Sequence, residues 1–182
     1  MLKRAESLRK APSIRYRCPG CSSKHAGFPA LAYGLPDAIF ALTPEERADR
    51  ADVSTDLCVM DGARFFIRCV LSLPVHGYEQ SFDFGPWVEV EAADFARYAV
   101  HFVAPPGSVR TLPGALANDL PLFVGTDGLP CVLAYGMDPD DRPHVTIVDA
   151  DHPLARQQRS GVPLSRATEL VSTMKGFVML ME

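Results

Sequence analysis

From Phe65 to Leu73 the odd positions are Phe65, Ile67, Cys69, Leu71 and Leu73, with Phe66, Arg68, Val70 and Ser72 between them. A period of two marks a strand with one face turned to a core. Phe82, Phe84, Val88 and Val90 alternate with Asp83, Glu89 and Glu91 in the same way. The two runs are expected to pair as an antiparallel hairpin through His76 to Ser81. Trp87 falls in register with Glu89 and Glu91 rather than with the apolar set. Gly85-Pro86 before it fits a bulge that re-aims the ring. An indole left on the solvent face would instead point to a partner surface.

The flanking pattern supplies the other elements. Thr43-Pro44-Glu45-Glu46 combines an N-cap, a proline at the first helical position and a capping box, and predicts a short helix to about Asp52. Asp56 to Met60 reads as a strand, with Asp61-Gly62 a tight turn into the hairpin. Phe95, Tyr98, Ala99 and Phe102 share one face of a helix after Glu91, stopped by Ala104-Pro105-Pro106-Gly107. Ser108 to Asp119 reads as an irregular link. Leu122 to Val124, Cys131 to Tyr135 and His144 to Val148 read as strands, with a turn at Asp138 to Asp141. Pro153 to Gln158 is a helical turn broken by Gly161. Leu164 to Leu180 reads as one C-terminal helix. This mixed, non-alternating order argues α+β: an antiparallel sheet of about five or six strands, helices on one face, and an N-terminal zinc knuckle. One domain is expected over residues 14–182, with the knuckle within 14–42 and a flexible basic segment over 1–13.

Composition narrows the function classes. The chain has 182 residues, 47% hydrophobic and 22% charged, and a net charge of -4. That balance gives no electrostatic reason to expect nucleic acid or an anionic membrane. No stretch approaches the roughly 20 apolar residues of a spanning helix, and the basic N-terminus lacks the apolar core of a secretory signal. A cytoplasmic location is the expectation. Five cysteines, only two of them close together, suit free thiols and a metal site better than a disulfide framework.

Those two are Cys18-Pro19-Gly20-Cys21, spaced so that both thiolates can reach one zinc ion from a tight turn, with His25 as a third ligand. Structural zinc takes four ligands, and Cys58, at a strand start, is the expected fourth. A redox pair and two inert thiols are the competing readings. Cys69 and Cys131 lie in apolar registers and read as core. Asp149, Asp151 and His152 form a second cluster. Asp151 and His152 suit a carboxylate–histidine pair for metal or acid–base work, or a cap for the helix beginning at Pro153. Arg68 points away from the apolar face. An ion pair with Asp56 or Asp61 is its expected use, and an anion site the alternative.

Several of these motifs occur together: C-x-x-C-x-x-x-H at Cys18 to His25, P-E-E-R at Pro44 to Arg47, S-x-D-L-C at Ser54 to Cys58, F-F-I-R at Phe65 to Arg68 and G-x-W-V at Gly85 to Val88. D-H-P-L-A at Asp151 to Ala155, Gln158 and Gly161-Val162 complete the set. From about Arg15 to Leu170 the chain thereby resembles the bacterial domain-of-unknown-function family 2199. It departs from that pattern at Cys69, where a glycine is usual, at Pro86, and at Glu91, where a serine cap is usual. The resemblance implies a bacterial protein and no particular activity. The function expected from the residues is a zinc-stabilised binding or regulatory module that recognises another protein, with Arg68 and Trp87 as candidate contacts. The alternatives are a metal-dependent, hydrolase-like enzyme using Asp151 and His152, and an immunity or antitoxin-like binder.

Overall fold

The computed structural model describes residues 13–101, 109–136 and 141–181. In chain order come β1 (Ile14–Arg17), β2 (Lys24–Ala26), β3 (Leu31–Ala32), α1 (Asp37–Phe40), α2 (Pro44–Arg50), β4 (Ala51–Val53), β5 (Leu57–Met60) and β6 (Arg64–Arg68). They lead to β7 (Leu71–Pro74), β8 (Ser81–Gly85), β9 (Trp87–Val90), α3 (Ala92–His101), β10 (Arg110–Leu116), β11 (Pro130–Tyr135) and β12 (His144–Ile147). Last are α4 (Pro153–Ser160), α5 (Leu164–Ser172) and β13 (Val178–Met181). The architecture is α+β and mostly strand. A seven-stranded antiparallel sheet, β12-β11-β10-β9-β6-β5-β4, replaces the expected five or six strands, and two three-stranded sheets, β3-β8-β7 and β13-β1-β2, stand beside it.

The expected hairpin is present but divided. Phe65 lies opposite Val90, Ile67 opposite Val88, Leu71 opposite Phe84 and Leu73 opposite Phe82. One register runs through all four pairs, so no residue is inserted at Gly85-Pro86 and there is no bulge. The pairing instead passes from the large sheet to a small one. At that junction the Cys69 amide donates to the Pro86 carbonyl at 2.8 Å, and the Val70 amide turns away to Pro143 O at 2.9 Å. Proline has no amide hydrogen to contribute, and a sheet junction tolerates the loss.

Both faces of β6 carry core residues. Ile67 and Val88 point into the larger core with Tyr98, Leu133, Leu154 and Leu170, residues of α3, β11, α4 and α5. Phe66 and Trp87, both 0% exposed, point the other way into a second core with Ile39 of α1, Cys58, Met60 and Ala117. Helices therefore flank both faces, which corrects the one-faced sheet. The cover over Trp87 is α1 with Tyr33 and Leu35 from the preceding loop. These residues are scattered along the chain without a period, so nothing in the alternation of β6 announces them. Arg47, from the P-E-E-R motif, holds the C-terminal end of α1 in place by donating to the Ile39, Phe40 and Leu42 carbonyls. The capping box of α2 is formed in both directions between Thr43 and Glu46.

Three segments depart from their sequence pattern. The expected link at Ser108 to Asp119 contains β10, a central strand despite Pro113 and Gly114. Pro113 is accommodated because β10 pairs with β9 only at Ala115 and Leu116. Gly114 is needed because a Cβ there would lie 2.6 Å from Val88 Cγ1. The expected C-terminal helix ends at Ser172, Gly176 turns the chain at φ +82°, and Val178–Met181 pair with β1. The expected strand Leu122–Val124 is a turn, with Leu122 at φ 65° and Val124 93% exposed. The Asp61-Gly62 turn is as expected, both residues having positive φ. The expected basic segment up to residue 12, Phe102, the stop at Ala104 to Gly107 and most of the Asp138 to Asp141 turn lie outside the described residues.

Candidate metal centre

The β1–β2 hairpin pairs Arg17 with Lys24, leaving Cys18 to Ser23 as its loop. The loop closes on itself: the Cys18 amide donates to Ser23 O at 3.0 Å, and the Ser22 amide donates to Cys18 O at 2.9 Å. Ser22 adopts φ 57° to turn the chain back into β2. This folding places the Cys18 and Cys21 sulfurs and a His25 ring nitrogen within 4.8 Å of one another. A tetrahedral zinc ion, with bonds of about 2.3 Å to sulfur and about 2.1 Å to nitrogen, spaces such atoms roughly 3.5–3.8 Å apart. The three atoms are thus close to the spacing that such an ion imposes.

The surroundings favour ligand chemistry. Cys21 Sγ lies 3.1 Å from His25 Nε2. That hydrogen bond, helped by one from the Ser23 backbone, brings the Cys21 thiol down to about 6. The thiolate is the form that binds metal. Tyr16 stacks on His25 with ring centroids 5.2 Å apart and fixes the imidazole plane. Tyr16 in turn lies 5.9 Å from Phe177, just ahead of β13. Pro19 rests against Gly176, where a Cβ would come within 3.0 Å of it. The knuckle thus leans on the C-terminal turn. Cys18 is half-buried, while Cys21 and His25 are exposed.

Cys58 does not join this cluster, which corrects its expected place as fourth ligand. It sits in β5 opposite Phe66, 1% exposed, and burial pushes its thiol up to about 11. Its strand parity points it into the second core. Cys69 and Cys131 are core residues, with burial raising both thiols.

Asp151 and His152 lie elsewhere, at the start of α4. His152 is the N-cap: its Nδ1 accepts from the Leu154 amide at 3.2 Å, and its Nε2 meets Val124 O at 3.1 Å. An amide donor on one nitrogen and a carbonyl acceptor on the other define the neutral Nε2–H tautomer and occupy both nitrogens. The Asp151 amide is held by Asp149 Oδ1 at 3.0 Å. The rest of that motif also docks α4. Gln158 accepts from the Ile147 amide and donates to Val145 O, extending the edge of β12. Gly161, at φ +76°, packs on His76 and the Pro74 carbonyl.

The other two candidates are not exposed contacts. Trp87 is fully buried, with Nε1 donating to Tyr33 O at 3.1 Å. Arg68 is half-buried and makes neither expected ion pair, because Asp56 binds Arg142 and Asp61 binds Arg50. Its Nη1 donates to Thr55 O at 3.4 Å.

Sequence reasoning missed a polar clasp around Asn118, which is 0% exposed. Its Oδ1 accepts from the Trp87 amide at 2.8 Å, and its Nδ2 donates to Leu35 O and to Asp37 Oδ1. Asp37 Oδ2 accepts from the Asp119 amide at 2.6 Å. Buried Thr126 accepts from the Leu120 amide and donates to Asn118 O. Burial, then Asp37 and Asp119, raise the Tyr33 hydroxyl and the Asp127 carboxyl. The sequence signal was limited to two turn-forming runs, Asn118-Asp119 and Thr126-Asp127-Gly128. The clasp ties α1 to β9 and the β10–β11 connection, which is a structural task.

Among the described residues, no helix is long and apolar enough to cross a membrane. Residues 17–162 match the sequence model of a family described as "Uncharacterized protein conserved in bacteria (DUF2199)". No curated protein and no solved structure matches the chain.

Proposed function

The chain belongs to this uncharacterised bacterial family, which carries no activity to transfer, and we propose from the geometry that it is a zinc-stabilised binding module recognising another protein. Cys18, Cys21 and His25 hold the ion, and the hairpin they cap is the recognition element. The observation that carries the reading is the convergence of three ligand atoms within 4.8 Å at an exposed hairpin tip. Two further features support it. Among the described residues β2 is an end strand of its sheet, paired with β1, and all three of its residues are exposed, which suits the addition of a partner strand. Both ring nitrogens of His152 are taken by the backbone, as a capping role requires, and this favours the binding module over the enzyme reading.

Three protein ligands leave a fourth coordination position, filled by a water or by a side chain from elsewhere. Zinc analysis of the purified protein with X-ray absorption at the zinc edge tests the assignment. One ion per chain with two sulfur ligands is the expected result, lost in Cys21→Ser and retained in Cys58→Ser. Protein free of zinc, or zinc lost in Cys58→Ser, refutes it. An oxygen ligand in the fourth position, together with hydrolysis of a test ester that stops when the zinc is removed, would favour the metalloenzyme.

A further inference from the structure

We propose that Cys21 is a site of reversible oxidation and Cys18 its resolving partner, so that peroxide closes the two knuckle thiols into a disulfide and expels the metal. The metal release rests on the zinc reading above; the disulfide does not.

Access selects Cys21. Cys58, Cys69 and Cys131 are 1%, 0% and 2% exposed, so a dissolved oxidant reaches the knuckle ahead of them. Cys21 is the exposed thiol of the pair, and Cys18 is half-buried behind it. Their sulfurs lie within 4.8 Å, against the about 2.05 Å of a disulfide bond.

The chemistry proceeds in two displacements. The Cys21 thiolate attacks one oxygen of hydrogen peroxide and the O–O bond breaks. The departing hydroxide takes a proton to become water, and Cys21 becomes a sulfenic acid. The Cys18 thiolate then attacks that sulfur, the S–O bond breaks, and a second hydroxide leaves and is protonated to water. Two thiolates, one peroxide and two protons give one disulfide and two waters. The sulfurs give up two electrons, and the peroxide oxygens accept them. A disulfide sulfur is no longer a thiolate ligand, so the metal loses both sulfur ligands and dissociates. The fate of the hairpin follows, since the loop that carried the ion now carries a covalent cross-link.

The test uses the whole zinc-loaded protein and one equivalent of hydrogen peroxide. Peptide mapping should show Cys18 joined to Cys21 with loss of two hydrogens, one zinc released per chain, and both changes reversed by dithiothreitol and zinc. In Cys18→Ser the reaction should stop at the sulfenic acid, trapped by dimedone on Cys21. Cys21 driven to sulfinic acid while Cys18 stays a thiol, or both thiols intact after a dose that oxidises free glutathione, would overturn the proposal. The wild-type map decides the matter even if the serine variant does not fold. Protein purified without zinc would refute the metal reading alone, because the same peptide map on that protein still shows whether the disulfide forms.

Discussion

Replacing Phe66 with alanine separates the two accounts of the central sheet. Alternation alone puts Phe65 in the core and Phe66 toward solvent. In the structure Phe66 is 0% exposed and Phe65 half-buried. Arg64 lies over the Phe66 ring at 5.2 Å and is itself held by Glu89 through two hydrogen bonds. A buried aromatic side chain withdraws at least about 150 Å² from water. At ~25 cal/mol per Å² that is about 4 kcal/mol, within the roughly 3–5 kcal/mol typical of buried Phe→Ala. For a chain of this size each kcal/mol moves Tm by about 2–4 °C, so Phe66→Ala should melt roughly 6–20 °C lower. Phe65→Ala should cost clearly less, because part of that ring already meets water. Urea titrations of both variants at one fixed zinc concentration give the comparison. A Phe66→Ala cost below about 1 kcal/mol, or one below that of Phe65→Ala, would refute the second core.

Asn118→Ala should destabilise by about 1–3 kcal/mol for each buried backbone group it orphans, the Trp87 amide first, and denaturant titration reads this directly. His152→Ala should cost about 1 kcal/mol, as an ordinary cap does, and leave zinc content unchanged; loss of zinc or a cost above about 3 kcal/mol would show another role. In metal-free, reduced protein, Cys21 should be alkylated by iodoacetamide with a midpoint near pH 6, its thiol being held down first by His25. Since a lowered value keeps the thiolate as pH falls to that midpoint, labelling at pH 7 should be close to its limit. His25→Ala should move the midpoint up toward the usual value of about 8.5. A wild-type midpoint at that usual value would contradict the Cys21–His25 contact.

What was legible in the sequence was local. Cys18, Cys21 and His25 fall within a single β-hairpin, the two cysteines in its loop and His25 in its second strand, so they come together without help from the rest of the chain. Cys58 required a long-range placement that spacing cannot supply, and its strand parity sends it to the core instead. The alternation of β6 to β9 was readable, and so was the phase of Trp87. Its burial was not, because Tyr33, Leu35 and Ile39 cover it from a segment with no period. β10 was hidden by Pro113 and Gly114, residues that usually end strands; here Pro113 lies where β10 has no pairing to β9, and Gly114 lies where β9 comes too close for a side chain. β13 was hidden because Met174, Phe177 and Val178 continue the apolar spacing of α5 past Ser172, where the helix ends.

The partnership of β1 and β13 bears on how the protein is made. β1 is the middle strand of its sheet, yet one of its two neighbours is Val178–Met181, drawn from the opposite end of the described chain. During synthesis the β1–β2 hairpin leaves the ribosome well before β13 does, and the β1 edge that β13 will cover waits until β4 to β12 have been translated. Unpaired edges recruit other strands, so this interval is when a nascent chain is most open to pairing with the wrong neighbour. An ion captured by the hairpin in that interval would hold the loop in shape until its proper strand arrives.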